Sequence, residues 1–157
     1  KKGKVDMSIF EGSTINTPSM LCVEDYIDAL EWAESIGGLP ALIAKSEKNL
    51  NVIERFVDKN SNWIQFLCKE KDIRSNTSVC LTLPKLDKDQ VKRFISILEN
   101  ENVALDIGAY RDAPDGLRIW CGATVEEDDL TALLPWLEVC SLIFCCYCHC
   151  HYYKWLY

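Results

Sequence analysis

The stretch Ser78-Val-Cys-Leu-Thr-Leu83, followed by Pro84 and then by Asp87-Lys-Asp-Gln90, decides the fold class. Its first part is rich in β-branched and aliphatic residues and stops at a proline, which is typical of a β-strand. Asp87 and Gln90 have the spacing of a capping box, so a helix is predicted to begin there. The apolar face of that helix comprises Val91, Phe94, Ile95 and Leu98. A strand followed by an amphipathic helix that packs on it predicts a domain that mixes α and β structure.

Upstream of this stretch, two helices are predicted before any strand. Apolar residues recur at helical spacing over residues 18 to about 36 and again over residues 39–57. Gly37-Gly38 lies between the two patterns and is expected to end the first helix. A short strand is predicted at residues 62–68, because aromatic and β-branched residues there are bounded by polar loops.

Downstream, two further strands and a last helix are predicted. The strands cover residues 103–107 and 117–121, with a turn-rich stretch between them. The helix starts near Thr124 and Glu127, a second capping pair, and contains Pro135. The whole pattern predicts an α+β fold, with two N-terminal helices and a mainly antiparallel sheet that carries helices on one face.

Composition excludes several classes of protein. The chain has 157 residues, a formal net charge of -7 and no clustered basic stripe, which argues against nucleic acid as a partner. It has no apolar run long enough to span a bilayer, so no membrane partner is predicted. It opens on Lys1-Lys-Gly-Lys4 without an initiator methionine, and we expect it to be a piece of a longer protein.

The nine cysteines fall into two groups. Four are scattered singly and are predicted to be buried free thiols: Cys22, Cys68, Cys80 and Cys121. The other five crowd near the end with two histidines: Cys140, Cys145, Cys146, Cys148, Cys150, His149 and His151. Their spacing lacks the register that wraps a zinc ion, so no metal site is predicted. A foreign, misread or disordered tail is the favoured interpretation, and a short amphipathic surface anchor is the alternative.

The segment Gly12-Ser-Thr-Ile-Asn-Thr-Pro-Ser-Met20 is a candidate anion site. Proline suits the first position of a helix, so Thr17 is predicted to be the N-cap. The free N–H groups of the helix start, together with the side chains of Thr14, Asn16 and Thr17, suit a phosphate or a carboxylate. The alternative is that the segment only caps the helix.

Arg118 is the candidate that its position singles out. It lies among apolar residues on the predicted strand 117–121, where a guanidinium requires either a carboxylate partner or an anionic ligand, and both readings stay open. Arg111 lies on the loop that leads to this strand, and Asp112 beside it is a ready surface partner.

Two segments resemble the phosphoserine aminotransferase family of pyridoxal-phosphate enzymes, which have the aspartate aminotransferase fold: residues 10–20 and Gly116-Leu-Arg-Ile-Trp-Cys-Gly-Ala-Thr-Val125. The resemblance covers residues 1 to about 137. It implies that residues 1–17 are a loop or interface segment continuing from a large domain. Residues 18–138 would then form the small C-terminal domain, with residues 139–157 a tail outside the resemblance.

This resemblance implies a function. The family transfers an amino group between L-glutamate and 3-phosphohydroxypyruvate, giving O-phospho-L-serine and 2-oxoglutarate for serine biosynthesis, as a cytoplasmic homodimer with shared active sites. By resemblance, Asn16 and Thr17 bind the phosphate of pyridoxal 5'-phosphate in the neighbouring subunit, and Arg118 binds the substrate α-carboxylate. Arg111 is a further candidate for a substrate anion.

The family's Schiff-base lysine, by the same resemblance, lies upstream of residue 1, and Lys1, Lys2 and Lys4 do not occupy its position. We therefore assign no catalytic residue within this chain and expect no transaminase activity from it alone. The alternative from a different class is a non-catalytic regulatory module that binds an amino acid or another small anion.

Overall fold

A computed structural model describes residues 3, 5–14 and 16–150, with side chains described up to residue 144. The chain divides into two compact units, Lys1–Ala41 and Leu42–Tyr157. The helices are α1 (Met20–Ser35), α2 (Gly38–Lys59), α3 (Lys88–Asn100) and α4 (Glu127–Cys150), and the strands are β1 (Gln65–Phe66), β2 (Ser78–Thr82) and β3 (Gly116–Trp120). Short 3-10 helices cover Met7–Glu11 and Lys71–Ile73.

The first unit contains α1, and its start differs from the prediction. The N-cap is Ser19, whose hydroxyl accepts from the backbone N–H of Cys22 at 3.5 Å, and the helix begins at Met20. The prediction of Thr17 as N-cap is therefore wrong. Serine is the stronger N-cap and its side chain caps the helix here, so the helix starts two residues later. As predicted, α1 ends just before Gly37, which has φ of 112°.

The second unit contains an antiparallel sheet of three strands in the order β1-β2-β3. This sheet confirms the predicted α+β fold class. Residues 103–107 do not form the predicted strand, and directly after them Gly108 forms an isolated bridge with Leu117. Asn102 and Asp106 have φ of 55° and 53°, and left-handed residues at both ends of so short a segment prevent an extended run.

One face of the sheet packs into the core. Side chains that alternate along β2 and β3 are buried in one cluster with α2, α3 and α4: Val79, Leu81, Leu117 and Ile119. The predicted capping box of α3 is confirmed, because Asp87 and Gln90 each donate a backbone N–H to the other's side chain at 2.9 Å. Cys80 and Arg118, which pair across β2 and β3, lie on the opposite face of the sheet.

Helix α4 continues past the predicted end of the domain. Cys140 and Phe144 are buried, and the Phe144 ring stacks on Phe94 with centroids 6.1 Å apart. Residues 139–144 are therefore not disordered, because their apolar positions extend the buried face that Leu130 and Leu137 begin. The side chains of residues 145–150, including His149, and all of residues 151–157, including His151, lie outside the described part.

The scattered cysteines are only partly as predicted. Cys121 is buried, but Cys68 and Cys80 are half-buried and Cys22 is exposed. Cys22 is exposed because it lies on α1, a helix that buries none of its residues. Within the described residues, every helix lacks the combination of length and apolar character that crossing a bilayer requires.

Candidate substrate-binding site

The strand β3 presents Arg118 at its centre. Its backbone is fixed on both sides, by the pairing with Cys80 of β2 and by an N–H that donates to the carbonyl of Ile107 at 2.8 Å. Its side chain is 25% exposed, so the guanidinium lies at the border between protein and solvent. A strand anchored in this way holds a charged group at a fixed place on the polar face of the sheet.

Asp106 is the carboxylate partner of Arg118. The Nη2 atom of Arg118 donates to Oδ2 of Asp106 at 2.6 Å and to the backbone carbonyl of the same residue at 3.3 Å. The pKa of Arg118 is raised, mainly by the hydrogen bond to Asp106 and next by a hydrogen bond to Tyr110. Of the two readings of Arg118 left open above, the structure shows the internal ion pair.

Part of the Arg118 guanidinium is unused. Its Nε atom is buried and has no hydrogen-bond partner among the described residues. A buried donor without a partner is uncommon, because the water that it loses on folding is not replaced. Arginine can bind a carboxylate through two parallel N–H groups, so Nε and Nη2 together offer a site for a bidentate anion.

Tyr110 supports the guanidinium from one side. The Cζ atom of Arg118 lies 4.5 Å from the centroid of the Tyr110 ring, a cation–π distance. The phenol oxygen lies 3.2 Å from the Ser78 hydroxyl at the start of β2. The pKa of Tyr110 is lowered, mainly by this hydrogen bond to Ser78 and next by the one to Arg118. The ring thus ties the loop before β3 to the polar face of the sheet.

Asn49 fixes the far end of β3. Its buried amide donates to the carbonyls of Cys121, Gly122 and Val125 at 3.2, 3.3 and 2.8 Å. One side chain of α2 therefore holds the turn that follows β3, and with it the strand that carries Arg118. An asparagine inside a helical pattern was the available signal, and the sequence prediction missed it.

The structure places the other predicted site residues on exposed segments. Arg111 is exposed in a turn closed by the N–H of Ala113 and the carbonyl of Tyr110 at 3.0 Å. Asn16 and Thr17 belong to the first unit, where both are exposed in the segment before α1. The N-terminus of α1 itself is already capped by Ser19.

Comparison with known proteins gives consistent relatives. Phosphoserine aminotransferases of Methanosarcina mazei and Methanosarcina barkeri are each 59% identical to the chain over 138 residues, which is 88% of its length. The chain spans 37% of the length of these curated relatives. A phosphoserine aminotransferase of Bacteroides fragilis is 21% identical over 127 residues. No family model matches the chain.

Solved structures share the fold. A phosphoserine aminotransferase from Bacillus circulans subsp. alkalophilus matches with a TM-score of 0.74 at 23% identity, over 84% of this chain and 35% of that one. A pyridoxal-phosphate-bound phosphoserine aminotransferase from Trichomonas vaginalis matches with a TM-score of 0.71 at 19% identity, over 84% and 36%. At these sequence identities the similarity shows a shared fold.

The described part of the chain is an α+β domain, and the solved structures that share its fold are phosphoserine aminotransferases. Within that class its relatives are phosphoserine aminotransferases, which confirms the resemblance predicted from the sequence.

Proposed function

We propose that this chain is part of a pyridoxal-phosphate-dependent phosphoserine transaminase that serves serine biosynthesis. The reaction moves an amino group between L-glutamate and 3-phosphohydroxypyruvate, giving O-phospho-L-serine and 2-oxoglutarate. The sequence relatives support the family. One observation supports substrate binding by the described domain: the buried Nε atom of Arg118, on the polar face of the sheet, has no hydrogen-bond partner among the described residues. All of these substrates carry an α-carboxylate, which is the ligand that a guanidinium fork suits best.

Arg118 binds and orients the substrate in this proposal. A carboxylate held by Nε and Nη2 lies in the plane of the guanidinium, and Tyr110 below that plane limits its rotation. Such fixed geometry lowers the entropy cost of bringing the substrate amino group to the cofactor. Arg111, one residue from Tyr110, is the proposed contact for a second anionic group of the substrate.

Asn16 and Thr17 are the proposed ligands of the cofactor phosphate. Their exposure fits a role in which they complete the site of a second subunit in a cytoplasmic homodimer. Pyridoxal 5'-phosphate supplies the electron sink for amino transfer when it is bound. We assign no catalytic lysine within these 157 residues, and we expect the chain alone to lack transaminase activity.

The domain organisation that we propose is the one that the sequence resemblance implies. Residues 1–17 form an interface segment, residues 18–138 the small domain and residues 139–157 a tail beyond the resemblance. These proposed bounds differ from those of the two compact units of the structure, Lys1–Ala41 and Leu42–Tyr157.

Replacement of Arg118 tests the function. In the whole protein that contains these residues, Arg118→Gln is expected to lower kcat/KM for O-phospho-L-serine by about 10- to 100-fold, because a charge-assisted carboxylate contact is lost. Arg55→Gln is the matched control, since Arg55 is exposed on α2, where it donates to the carbonyl of Asn51 at 3.2 Å and lies 3.8 Å from the carboxylate of Glu127. Steady-state kinetics measure both variants.

Two results would contradict the proposal. An unchanged kcat/KM in Arg118→Gln removes the carboxylate role of this residue. Tight binding of small carboxylates by the whole protein, without any turnover, favours the regulatory module instead.

A further inference from the structure

We propose that Asp106 is an internal competitor, which occupies the substrate-carboxylate position on Arg118 in the empty site and gives it up when substrate binds. This inference rests on the carboxylate role proposed for Arg118. It adds a residue that sets substrate affinity without touching the substrate.

The exposure of the two partners shows which one moves. The Asp106 side chain is 87% exposed, whereas that of Arg118 is 25% exposed and its backbone is fixed in β3. An ion pair with one partner in solvent is weak, because water and salt screen it. Release of Asp106 therefore costs little, and the guanidinium stays in place.

The backbone of Asp106 also favours release. Its φ of 53° is left-handed, and Asn102 in the same loop has φ of 55°. Non-glycine residues in this region carry strain, although aspartate and asparagine tolerate it better than others. The loop between α3 and β3 can relax when the contact with Arg118 is replaced.

The pairing geometry leaves one donor of the guanidinium without a partner. The contacts of Asp106 to the guanidinium all use Nη2, while Nε stays buried without a partner among the described residues. A substrate carboxylate that spans Nε and Nη2 makes two hydrogen bonds and satisfies the orphaned donor. Exchange of one carboxylate for another keeps Arg118 paired throughout and selects ligands that can bind in a bidentate manner.

Competition has a defined thermodynamic signature. A site that is partly filled by its own side chain has an apparent Kd equal to the intrinsic Kd divided by the fraction of molecules whose site is free. Removal of the competitor must then strengthen binding, whereas removal of a residue that positions Arg118 must weaken it. The sign of the change separates the two roles.

The experiment titrates the full 157-residue chain with 2-oxoglutarate as the probe. Binding is followed through the Nε–H signal of Arg118 in ¹⁵N NMR, in the parent chain and in Asp106→Asn. Asparagine keeps the shape and tolerates the left-handed backbone, so the loop is preserved. We expect the Kd to fall by about two- to fivefold, which matches the loss of an exposed ion pair.

Matched variants complete the design. Glu101→Gln makes the same change in net charge at an exposed position and should leave the Kd unchanged. Asp106→Gly keeps the left-handed backbone and removes the side chain altogether, so it should also strengthen binding. In the whole enzyme, Asp106→Asn should lower KM for glutamate at constant kcat.

The possible outcomes separate the inference from the function on which it rests. A weaker or unchanged Kd in both Asp106→Asn and Asp106→Gly overturns the competitor role and leaves the role of Arg118 intact. A titration of the parent chain that leaves the Nε–H signal of Arg118 unchanged shows that the probe does not bind the guanidinium, which overturns the proposed function as well.

Discussion

Gly116 is the residue that allows β3 to lie against β2. A Cβ atom at this position would overlap the backbone carbonyl of Leu81, which belongs to the neighbouring strand and cannot move aside. We expect Gly116→Ala to lower the free energy of unfolding by roughly 1–3 kcal/mol, the usual cost of overpacking. Urea denaturation followed by tryptophan fluorescence measures it.

Gly108 provides the control for this substitution. It lies in the loop that leads to β3, and a Cβ there would meet only the Cδ1 atom of Ile95 at 3.5 Å, an ordinary contact. Gly108→Ala should be nearly neutral. Equal losses in both variants would show that the close approach of the two strands does not determine the requirement for glycine.

At this scale, the sequence predicted Arg118 but not its neighbours. A lone guanidinium on an apolar strand needs an anion, and this requirement is visible without coordinates. Asp106 and Tyr110 reach Arg118 only because the loop before β3 takes a left-handed turn, which residue types do not specify. The role of Asn49 depends on three carbonyls that converge 72 to 76 residues away in the sequence.

Among the elements, α4 has a buried face that continues beyond residue 139, where the sequence composition changes. Phe144 lies five residues beyond the point where the tail was predicted to start, yet it is 5% exposed and stacks on Phe94. Phe144→Ala should therefore lower the free energy of unfolding by about 3 kcal/mol, as for other buried aromatic residues. Thermal unfolding followed by circular dichroism measures the loss.

Leu142→Ala is the matched control on the same helix. Leu142 is 60% exposed, so its truncation should change stability by less than about 0.5 kcal/mol. If both variants were neutral, the helix beyond residue 139 would contribute nothing to the core.

Local signals predicted helices better than strands. The capping box at Asp87 and Gln90 marks the start of α3 correctly, because both hydrogen bonds involve residues three apart. The strand expected at residues 103–107 is wrong, since strand formation depends on a distant partner and on backbone angles at Asn102 and Asp106. The start of α1 was misplaced by two residues because Pro18 and Ser19 are both good helix-start residues.

For the whole molecule, the two compact units differ in how they bury apolar side chains. The buried hydrophobic residues of the described part all lie between Val52 and Phe144, in the second unit. In the first unit, α1 exposes Met20, Leu21, Tyr26, Ile27 and Leu30. A chain that begins at Gly38 contains the entire cluster and is expected to unfold cooperatively.

Alkylation of the cysteines measures this difference in burial between the two units. Cys22 is exposed on α1, whereas Cys121 and Cys140 are buried, and burial raises the pKa of Cys121 to about 12 and that of Cys140 above its ordinary value. Because the thiolate is the reactive form, Cys22 should be alkylated within minutes at pH 8 and the two buried thiols only after unfolding. Mass spectrometry of peptides from iodoacetamide-treated protein identifies each site.

The pH dependence of this labelling has a definite sign. A thiol whose pKa is higher in the folded state stabilises the fold fully below the pKa of the unfolded thiol and less as the pH rises toward the folded value of about 12. Above roughly pH 9, labelling of Cys121 should therefore accelerate for two reasons. A larger fraction of any unfolded thiol is then thiolate, and the fold itself is less stable, so the thiol is exposed more often. Cys121→Ala should reduce this alkaline loss of stability, and labelling of Cys121 as fast as Cys22 at pH 8 would contradict a packed second unit.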